Sequence, residues 1–162
     1  MSSILFKHEA KGKDGIPIVV YKIRTMRGLV SPKRNSRLSL SGQLDITDKQ
    51  RVTKIGKFLR PTGLDEIPQI FNIIILRNMQ LIGIRPFLIE EFELLPEDIQ
   101  KRLLFEKPGM IPAESYYEYR AGILDSRITA IRKYLDEKPK GLKKVKIGLI
   151  ALIKRWTKYS KR

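Results

Sequence analysis

Residues 62–76, TGLDEIPQIFNIIIL, decide the fold. A helical spacing relates their apolar members, which are Leu64, Ile67, Phe71, Ile74 and Ile75. This spacing predicts a helix with one apolar stripe. Pro68 lies within it, and proline is tolerated only in the first turn of a helix or at a kink. Two interpretations stay open: a helix capped near Asp65 with Pro68 in its first turn, or a helix that starts at Thr62 and bends at Pro68.

The adjacent acids Asp65 and Glu66 are the first candidates for chemistry. Side chains of neighbouring residues on a regular helix point ~100° apart, so these two converge only where a helix begins or bends. Free N–H groups and the positive end of the helix dipole stabilise carboxylates there. An ionised carboxylate beside a cation can attack phosphorus or hold Mg²⁺. The structural alternative is that Asp65 caps the helix and Glu66 is an ordinary first-turn acid.

Several basic residues accompany this pair of acids: Lys22, Arg24, Lys54, Lys57, Arg60 and Arg85. Arg85 precedes Pro86, which confines its backbone to extended or turn geometry. That restriction helps to aim a guanidinium at phosphate, which arginine binds through two parallel hydrogen bonds. For any one of these residues, the alternative is a solvated basic face.

Composition excludes several classes of chemistry. The 162 residues, expected to form one domain over 1–162, hold 33 Lys+Arg against 17 Asp+Glu, for a net charge of +16. The absence of cysteine excludes disulfides, thiolate metal sites and cysteine nucleophiles. His8 is the only histidine, which argues against a histidine-based triad or a multi-histidine metal site. The basic excess points to an anionic partner.

The C-terminal segment 138–162 holds ten Lys and Arg residues and no acid. A broad apolar face interrupts these charges, formed by Ile147, Leu149, Ile150, Leu152, Ile153 and Trp156, with Lys143, Lys144, Lys146, Lys154 and Arg155 beside it. Such a helix can lie in the interface of an anionic bilayer, where each basic residue contributes ~1 kcal/mol. The alternative is a helix packed on the core with a solvated basic face. No segment approaches the ~20 apolar residues that span a bilayer, and no signal peptide is recognisable.

The other elements predict an α+β fold that is mostly helical, with a small N-terminal β-hairpin and short extended segments. Strands are expected at 4–6 and 16–23, joined by a tight turn at Asp14-Gly15. Residues 28–47 are polar and rich in Gly, Ser and Pro, which predicts a mobile loop. A helix is expected from near Asp48 through Val52, Ile55, Phe58 and Leu59, an extended piece at 79–83, and helices over 87–106, 122–136 and 141–159.

Six motifs, taken in order, resemble the bacterial sugar transferases, the monotopic phosphoglycosyl transferases. They are Phe6 with Gly12–Gly15, Tyr21–Met26, Asp48 with Arg51–Arg60, Thr62–Asn72, Met79 with Gly83–Pro86, and Lys107–Gly109. The resemblance runs from about Ile4 to about Leu152. It implies the fold of that family and a place at the cytoplasmic face of the cell membrane.

The resemblance also implies an activity. Family members move a sugar phosphate from a nucleoside diphosphate sugar, expected here to be a UDP-sugar, to a polyprenol phosphate, and release the nucleoside monophosphate. It implies that Asp65 is the nucleophile that carries a covalent phosphosugar, and that Glu66 assists it with proton or metal handling. Mg²⁺ is the implied cofactor, held at Asp65 and Glu66. The implied binding residues for substrate phosphates are Lys22, Arg24, Arg60 and Arg85, with Gln69 and Asn72 orienting the two acids.

The sequence departs from the family pattern in four places. Ala10 takes the position of an arginine, Arg77-Asn78-Met79 lacks an acid, and Ile84 takes the position of a proline. After Gly109 the usual Thr-Gly-x-x-Gln is replaced by residues 111–115. An apolar re-entrant helix usually stands upstream of Phe6, where this sequence starts. We therefore expect the basic C-terminal segment to contact an anionic membrane surface. The alternatives are that a membrane-anchoring partner, or a second copy of the chain in a homo-oligomer, supplies the contact.

Two alternative functions come from other classes. The net charge of +16 permits a basic RNA-binding module, but no recognised RNA-binding signature is present, so no nucleic acid is expected as a partner. The departures after Pro108 also permit a non-catalytic relative that binds a partner enzyme. Because Asp65 and Glu66 are intact, the sequence favours an active enzyme.

Overall fold

The chain was analysed as a computed structural model, which describes residues 3–27, 51–117 and 124–160. The strands are β1 Leu5–Lys11, β2 Pro17–Ile23, β3 Gln80–Gly83 and β4 Gly109–Pro112. The helices are α1 Lys54–Thr62, α2 Gln69–Ile74, α3 Ile89–Glu93, α4 Glu97–Leu103, α5 Leu124–Glu137 and α6 Gly141–Ser160. Short 3₁₀ turns cover Lys13–Gly15, Leu64–Glu66 and Ala113–Tyr116. The predicted α+β class is confirmed. The predicted loop 28–47 and the helix start at Asp48 lie outside the described residues.

The N-terminal hairpin forms as predicted, with a longer first strand. β1 and β2 are antiparallel, and their register runs from Leu5 opposite Ile23 to Lys11 opposite Pro17. The turn uses a positive φ of 56° at Asp14, as an Asp-Gly turn requires. One face of the hairpin buries Ala10, Ile18 and Val20 against Met79. The hairpin thereby packs on the segment that follows α2.

Helix α1 begins at Lys54, after Val52, which the sequence pattern places in a helix. Val52 instead forms an isolated antiparallel bridge with Met26. Thr53 then caps α1, because its hydroxyl accepts a hydrogen bond from the Gly56 N–H at 2.9 Å. The prediction that Val52 is a helical residue is therefore wrong. The backbone of this β-branched residue pairs with that of Met26, although its apolar spacing fits the helix.

The second helix places its two faces in an unexpected way. Pro68 stands at the N-cap of α2, so the helix starts just after the two acids. The interpretation that places Pro68 near a helix start therefore agrees better with the structure than a single helix bent at Pro68. Gln69 and Asn72 are buried, whereas the predicted apolar stripe is exposed, with Ile74 at 61% and Ile75 at 63%. Periodicity predicted the stripe, but the helix turns its polar face inward.

The main core lies between the second sheet and the C-terminal helices. β3 and β4 pair in parallel, a pairing that the sequence did not predict. The predicted helix 87–106 is two helices, α3 and α4, because Pro96 ends the run between them. The core contains Ile82, Phe87, Ile99, Leu103, Ile131, Tyr134 and Ile147. The predicted C-terminal helices are confirmed as α5 and α6 within the described residues.

The C-terminal helix α6 packs one face on the core, as one of the two interpretations predicts, and carries further apolar side chains that are exposed; contact of this exposed face with a bilayer stays a prediction. Ile147 and Ala151 are buried, and Gly148 packs directly against the side chain of Ile82. Another set of apolar side chains on α6 is exposed: Leu142, Val145, Leu149, Ile153 and Trp156. Across the described ranges, we find no helix with the length and apolar character needed to cross a bilayer. Residues 161–162 of the predicted segment lie outside those ranges.

Candidate active site

The two acids lie in a tight turn between α1 and α2. Gly63 ends α1 with a positive φ of 75°, a conformation that other residues adopt only with strain. The chain then makes the 3₁₀ turn Leu64–Glu66, which holds both acids. The Asp65 side chain is 8% exposed and the Glu66 side chain 15% exposed. The local sequence, Gly before and Pro after, therefore interrupts the helix where the acids stand.

One guanidinium brings the two acids to the same side. Nη1 of Arg155 donates to Oε2 of Glu66 at 3.0 Å, and Nη2 lies 3.7 Å from Oδ1 of Asp65. The same guanidinium donates to the backbone carbonyl of Arg60, from Nε at 3.2 Å and from Nη2 at 3.0 Å. Asp65 and Glu66 thus face one shared positive group, as the hypothesis of a joint site requires.

Further cations surround the pair. Nζ of Lys22 lies 3.7 Å from Oε1 of Glu66, so the hairpin contributes directly to the site. Arg60 acts electrostatically on Asp65, and Arg85 acts on Glu66. Two carboxylates are therefore within electrostatic reach of Lys22, Arg60, Arg85 and Arg155. Such a site favours an anionic ligand.

The surroundings shift the two pKa values in opposite directions. Burial raises the pKa of Asp65 above its ordinary 3.8, and the neighbouring Glu66 charge raises it further, although Arg155 and Lys22 counteract both. For Glu66, burial by itself also raises the pKa, but Lys22 and Arg155 outweigh burial and hold the pKa below its ordinary 4.5. Glu66 is thus the more stable anion, and Asp65 is the acid with the less stabilised charge.

The polar face of α2 is hydrogen-bonded to the hairpin. Nδ2 of Asn72 donates to the Val19 carbonyl at 2.7 Å and to Oδ1 of Asn78 at 3.2 Å. Several buried acceptors beside it have no hydrogen-bond partner among the described residues: Asp65 Oδ1, Gln69 Oε1 and Asn72 Oδ1. Buried acceptors of this kind are costly unless a ligand, water or cation satisfies them. The site is therefore polar and incompletely paired.

Two predicted binding residues have partners elsewhere. Nε of Arg24 donates to the Ser3 carbonyl at 2.9 Å, and its guanidinium stacks over Phe6. Nη2 of Arg85 donates to Glu91 Oε2 at 2.9 Å, and this guanidinium stacks over Phe87. The structure brings Lys22 and Arg60 close to the acids, and it buries Gln69 and Asn72 on the helix that follows them. The roles predicted for these four residues, and for Arg24 and Arg85, stay predictions.

The residues present are compatible with Mg²⁺. No group of three or more His, Cys, Asp or Glu side chains suited to a metal occurs within residues 3–27, 51–117 and 124–160. Mg²⁺ is commonly bound by one or two carboxylates together with substrate phosphates. The buried Asp65 Oδ1, which lacks a hydrogen-bond partner, and the adjacent Glu66 provide that donor set. The predicted metal role of these two acids fits the site and stays a prediction.

Sequence reasoning missed Arg155, which it assigned to the basic flank of a membrane helix. Its position continues the buried face of α6, since Ile147, Ala151 and Arg155 are spaced four positions apart. A charged residue that continues a buried helical face needs a partner. That spacing could have identified Arg155, although not the acids that it contacts.

Comparison with known proteins supplies the family. Residues 1–145 match the sequence profile described as bacterial sugar transferase. The chain is 36% identical over 110 residues to a galactosyl transferase, CpsE, of Streptococcus agalactiae serotype III, covering 65% of this chain and 24% of that protein. It is 37% identical over 109 residues to the UDP-glucose:undecaprenyl-phosphate glucose-1-phosphate transferase of Klebsiella pneumoniae, covering 66% and 22%. It is 31% identical over 114 residues to the undecaprenyl-phosphate galactose phosphotransferase of Salmonella typhimurium, covering 65% and 24%.

The chain belongs to the bacterial sugar transferase family, which confirms the resemblance found in its motifs. The matched segment corresponds to about a quarter of the length of these three relatives. Two of the relatives are named for transfer of a sugar phosphate to undecaprenyl phosphate.

Proposed function

We propose that this chain transfers a sugar 1-phosphate from a nucleoside diphosphate sugar, most simply a UDP-sugar, to a polyprenol phosphate. The observation that carries the proposal is the buried Asp65 carboxylate, with one oxygen unpaired by hydrogen bonds, beside Glu66 and a group of cations. The names of the relatives support the substrate classes. The reaction would begin the synthesis of a cell-surface polysaccharide or glycoconjugate.

The proposed reaction has two displacements at one phosphorus atom. A carboxylate oxygen of Asp65 attacks the phosphorus that bears the sugar, and the bond from that phosphorus to the bridging oxygen breaks, so that UMP leaves. A phosphate oxygen of the polyprenol phosphate then attacks the same phosphorus and displaces the carboxylate. The products are polyprenol diphosphate sugar and UMP, and Asp65 returns as a free carboxylate.

The chain's own residues supply charge and orientation for these steps. Lys22 and Arg60, which lie close to the acids, would neutralise the phosphates of the donor, which is the larger part of catalysis in phosphoryl transfer. Asn72 holds α2 to the hairpin through the Val19 carbonyl, and with the buried Gln69 it would keep the start of α2 in place behind Asp65. Mg²⁺, held by Asp65 and Glu66, would offset the charge of the diphosphate.

A test of the proposal separates the two displacements. The purified chain is incubated with a UDP-sugar and Mg²⁺ in the absence of polyprenol phosphate. We expect one equivalent of UMP per chain and an increase in protein mass equal to one sugar phosphate, and neither with Asp65→Asn. Added polyprenol phosphate should discharge the label into lipid. Binding of a UDP-sugar with no release of UMP would contradict the proposal and favour a non-catalytic relative.

We also propose that the exposed apolar surface of the chain lies on the anionic cytoplasmic face of the cell membrane. On α1, Ile55 and Phe58 are exposed; on α6, Leu149, Ile153 and Trp156 are exposed. The two helices are in contact, and exposed apolar surface that is shared by neighbouring elements is typical of interaction surfaces. The basic residues of α6 supply attraction to acidic lipids. A lipid surface would also present the polyprenol phosphate to the acids.

The single tryptophan, Trp156, reports on this contact. Its emission should shift to shorter wavelength with vesicles rich in phosphatidylglycerol, and the shift should decrease with added salt. Phosphatidylcholine vesicles are the matched control and should give a smaller shift. An emission spectrum unchanged by anionic vesicles would exclude α6 from the membrane contact.

A further inference from the structure

The C-terminal helix α6 reaches the candidate active site through a residue outside the segment that defines the family. The family match ends at residue 145, and Arg155 lies ten residues later. We propose that Arg155 is a positioning residue that holds Asp65 and Glu66 on one side of their turn, ready for the substrate diphosphate. This inference rests on the proposed function, and it assigns to the C-terminal helix a role in catalysis.

The first argument is the number of partners that one side chain joins. The Arg155 guanidinium donates to both oxygens of Glu66, at 3.0 Å and 3.5 Å. It lies 3.7 Å from Asp65 and donates twice to the carbonyl of Arg60, at the end of α1. A single planar fork therefore connects α6, the last turn of α1 and both acids. A lysine has one nitrogen and cannot reproduce this set of contacts.

The second argument is that the guanidinium packs directly against the turn. A Cβ built at Gly63 would be in ordinary van der Waals contact with Nη1 of Arg155, at 3.4 Å. The Arg155 side chain is 20% exposed, so most of it is held between α1, the turn and α6. The immobilised guanidinium restricts which directions the two carboxylates can take.

The third argument is charge. Without Arg155, two adjacent carboxylates in a largely buried turn would repel each other, and each would favour protonation of the other. Lys22 reaches Glu66 at 3.7 Å from the hairpin, on a different element from Arg60 and Arg155. Arg155 therefore has an electrostatic effect, which any cation could partly supply, and a geometric effect, which only the fork supplies. The two effects can be separated by substitution.

The experiment compares Arg155→Met and Arg155→Lys with a matched pair, Arg132→Met and Arg132→Lys. Arg132 is a suitable control because it also makes a two-bond contact with a carboxylate, Asp98, at 3.1 Å and 3.0 Å on the surface. For each variant, the rate of UMP formation is measured against pH and against UDP-sugar concentration. Thermal unfolding shows that each variant is folded at the assay temperature.

We expect Arg155→Met to lower kcat roughly tenfold to a hundredfold, as misplacement of reacting groups does, with KM for the UDP-sugar changed less than about threefold. The acid limb of its pH–rate profile should move to higher pH. Arg155→Lys should restore the acid limb but leave kcat at high pH well below that of the unaltered chain. Both Arg132 variants should match the unaltered chain. A plateau kcat for Arg155→Lys within about twofold of the unaltered value would overturn positioning by the fork.

A second measurement does not depend on turnover. Hydrogen exchange of the backbone amides of residues 64–67 is compared between the unaltered chain and each variant. We expect exchange in this turn to become at least about tenfold faster in Arg155→Met and to stay unchanged in Arg132→Met. Unchanged exchange in Arg155→Met would overturn the inference whatever the activity. An unaltered chain that gives no UMP, together with faster exchange in Arg155→Met, would contradict the proposed function alone.

Discussion

Two acid–arginine contacts in this chain use the same residue types but have different roles. Asp65 and Glu66 share Arg155 in the turn between α1 and α2. Glu114 pairs with Arg127 at 2.8 Å, with side-chain exposures of 0% and 2%. Both contacts use an arginine of a C-terminal helix, which lies 13 residues from Glu114 in one case and 89 residues from Glu66 in the other. Their surroundings separate a candidate catalytic site from a structural ion pair.

The Glu114–Arg127 pair is balanced and enclosed by the core. Its neighbours in the chain include the buried Ala113, Tyr117 and Ile128, and the Arg127 guanidinium also stacks on Phe87. Around Asp65 and Glu66, by contrast, two acids meet cations from the hairpin, from α1 and from α6. Buried acceptors without a hydrogen-bond partner among the described residues occur at both contacts, Asp65 Oδ1 at one and Glu114 Oε2 at the other. The comparison teaches that the number of cations around the acids, rather than incomplete pairing, distinguishes the site.

The comparison also accounts for one departure from the family pattern. Glu114 belongs to residues 111–115, which replace the usual motif after Gly109. In the structure this acid is fully buried and paired with Arg127 of α5. The altered segment therefore forms a core contact, while Asp65 and Glu66 stay intact.

The largest effect should come from removing the proposed nucleophile. Asp65→Asn should lower the rate of UMP formation by at least about 1,000-fold, because no other carboxylate in the turn can take the same position. Glu114→Asp, which keeps the acid of the core pair, should retain most of the activity per folded molecule. The measurement is UMP release normalised to folded protein. Comparable losses in the two variants would break the distinction between the site and the structural pair.

The next effect concerns stability. Glu114→Gln should lower the free energy of unfolding by about 3–5 kcal/mol, because it leaves the Arg127 charge buried without its counter-charge. The double variant Glu114→Leu with Arg127→Met should recover much of this loss, since neither charge is then buried. Denaturant unfolding followed by circular dichroism measures both. A cost for Glu114→Gln below about 1 kcal/mol, typical of surface pairs, would contradict a structural role in the core.

A smaller effect is expected in the pH dependence of turnover. Asp65 must be ionised to attack, and burial raises its pKa above 3.8. The rate of UMP formation should therefore fall as the pH decreases through this raised pKa, so the acid limb lies above the ordinary aspartate range. Lys22→Met should move the limb to still higher pH, because a cation that lowers the pKa is lost. An acid limb at the ordinary value would show that the Asp65 carboxylate is solvated.

The smallest effect is a gain in stability at the site. Because the pKa of Asp65 is raised in the folded chain, its ionised form destabilises the fold at pH values above that pKa, and the cost disappears at low pH. Asp65→Asn should therefore increase Tm at neutral pH by a few degrees, at about 2–4 °C per kcal/mol. Differential scanning calorimetry at neutral and acidic pH tests this sign. A decrease of Tm at neutral pH would mean that the contact with Arg155 outweighs burial.

Much of the fold and of the site follows from local sequence. The Asp-Gly turn predicted the hairpin, and Pro68 predicted a helix that begins or bends beside Asp65 and Glu66, of which the structure shows a helix start. The α2 stripe was predicted as a pattern, but periodicity does not say which face turns inward, and here the polar face does. The parallel pairing of β3 with β4 was missed, because a register between strands about 30 residues apart leaves no local signal.

The sequence by itself determined that two adjacent acids stand where a helix begins or bends, because proline acts on the backbone within a few residues. Only the tertiary structure decided what these acids face. Arg155 lies 89 residues from Glu66 along the chain, and it arrives there because α6 packs its buried face on β3 and β4. Contacts of that range are set by core packing, which no short motif encodes.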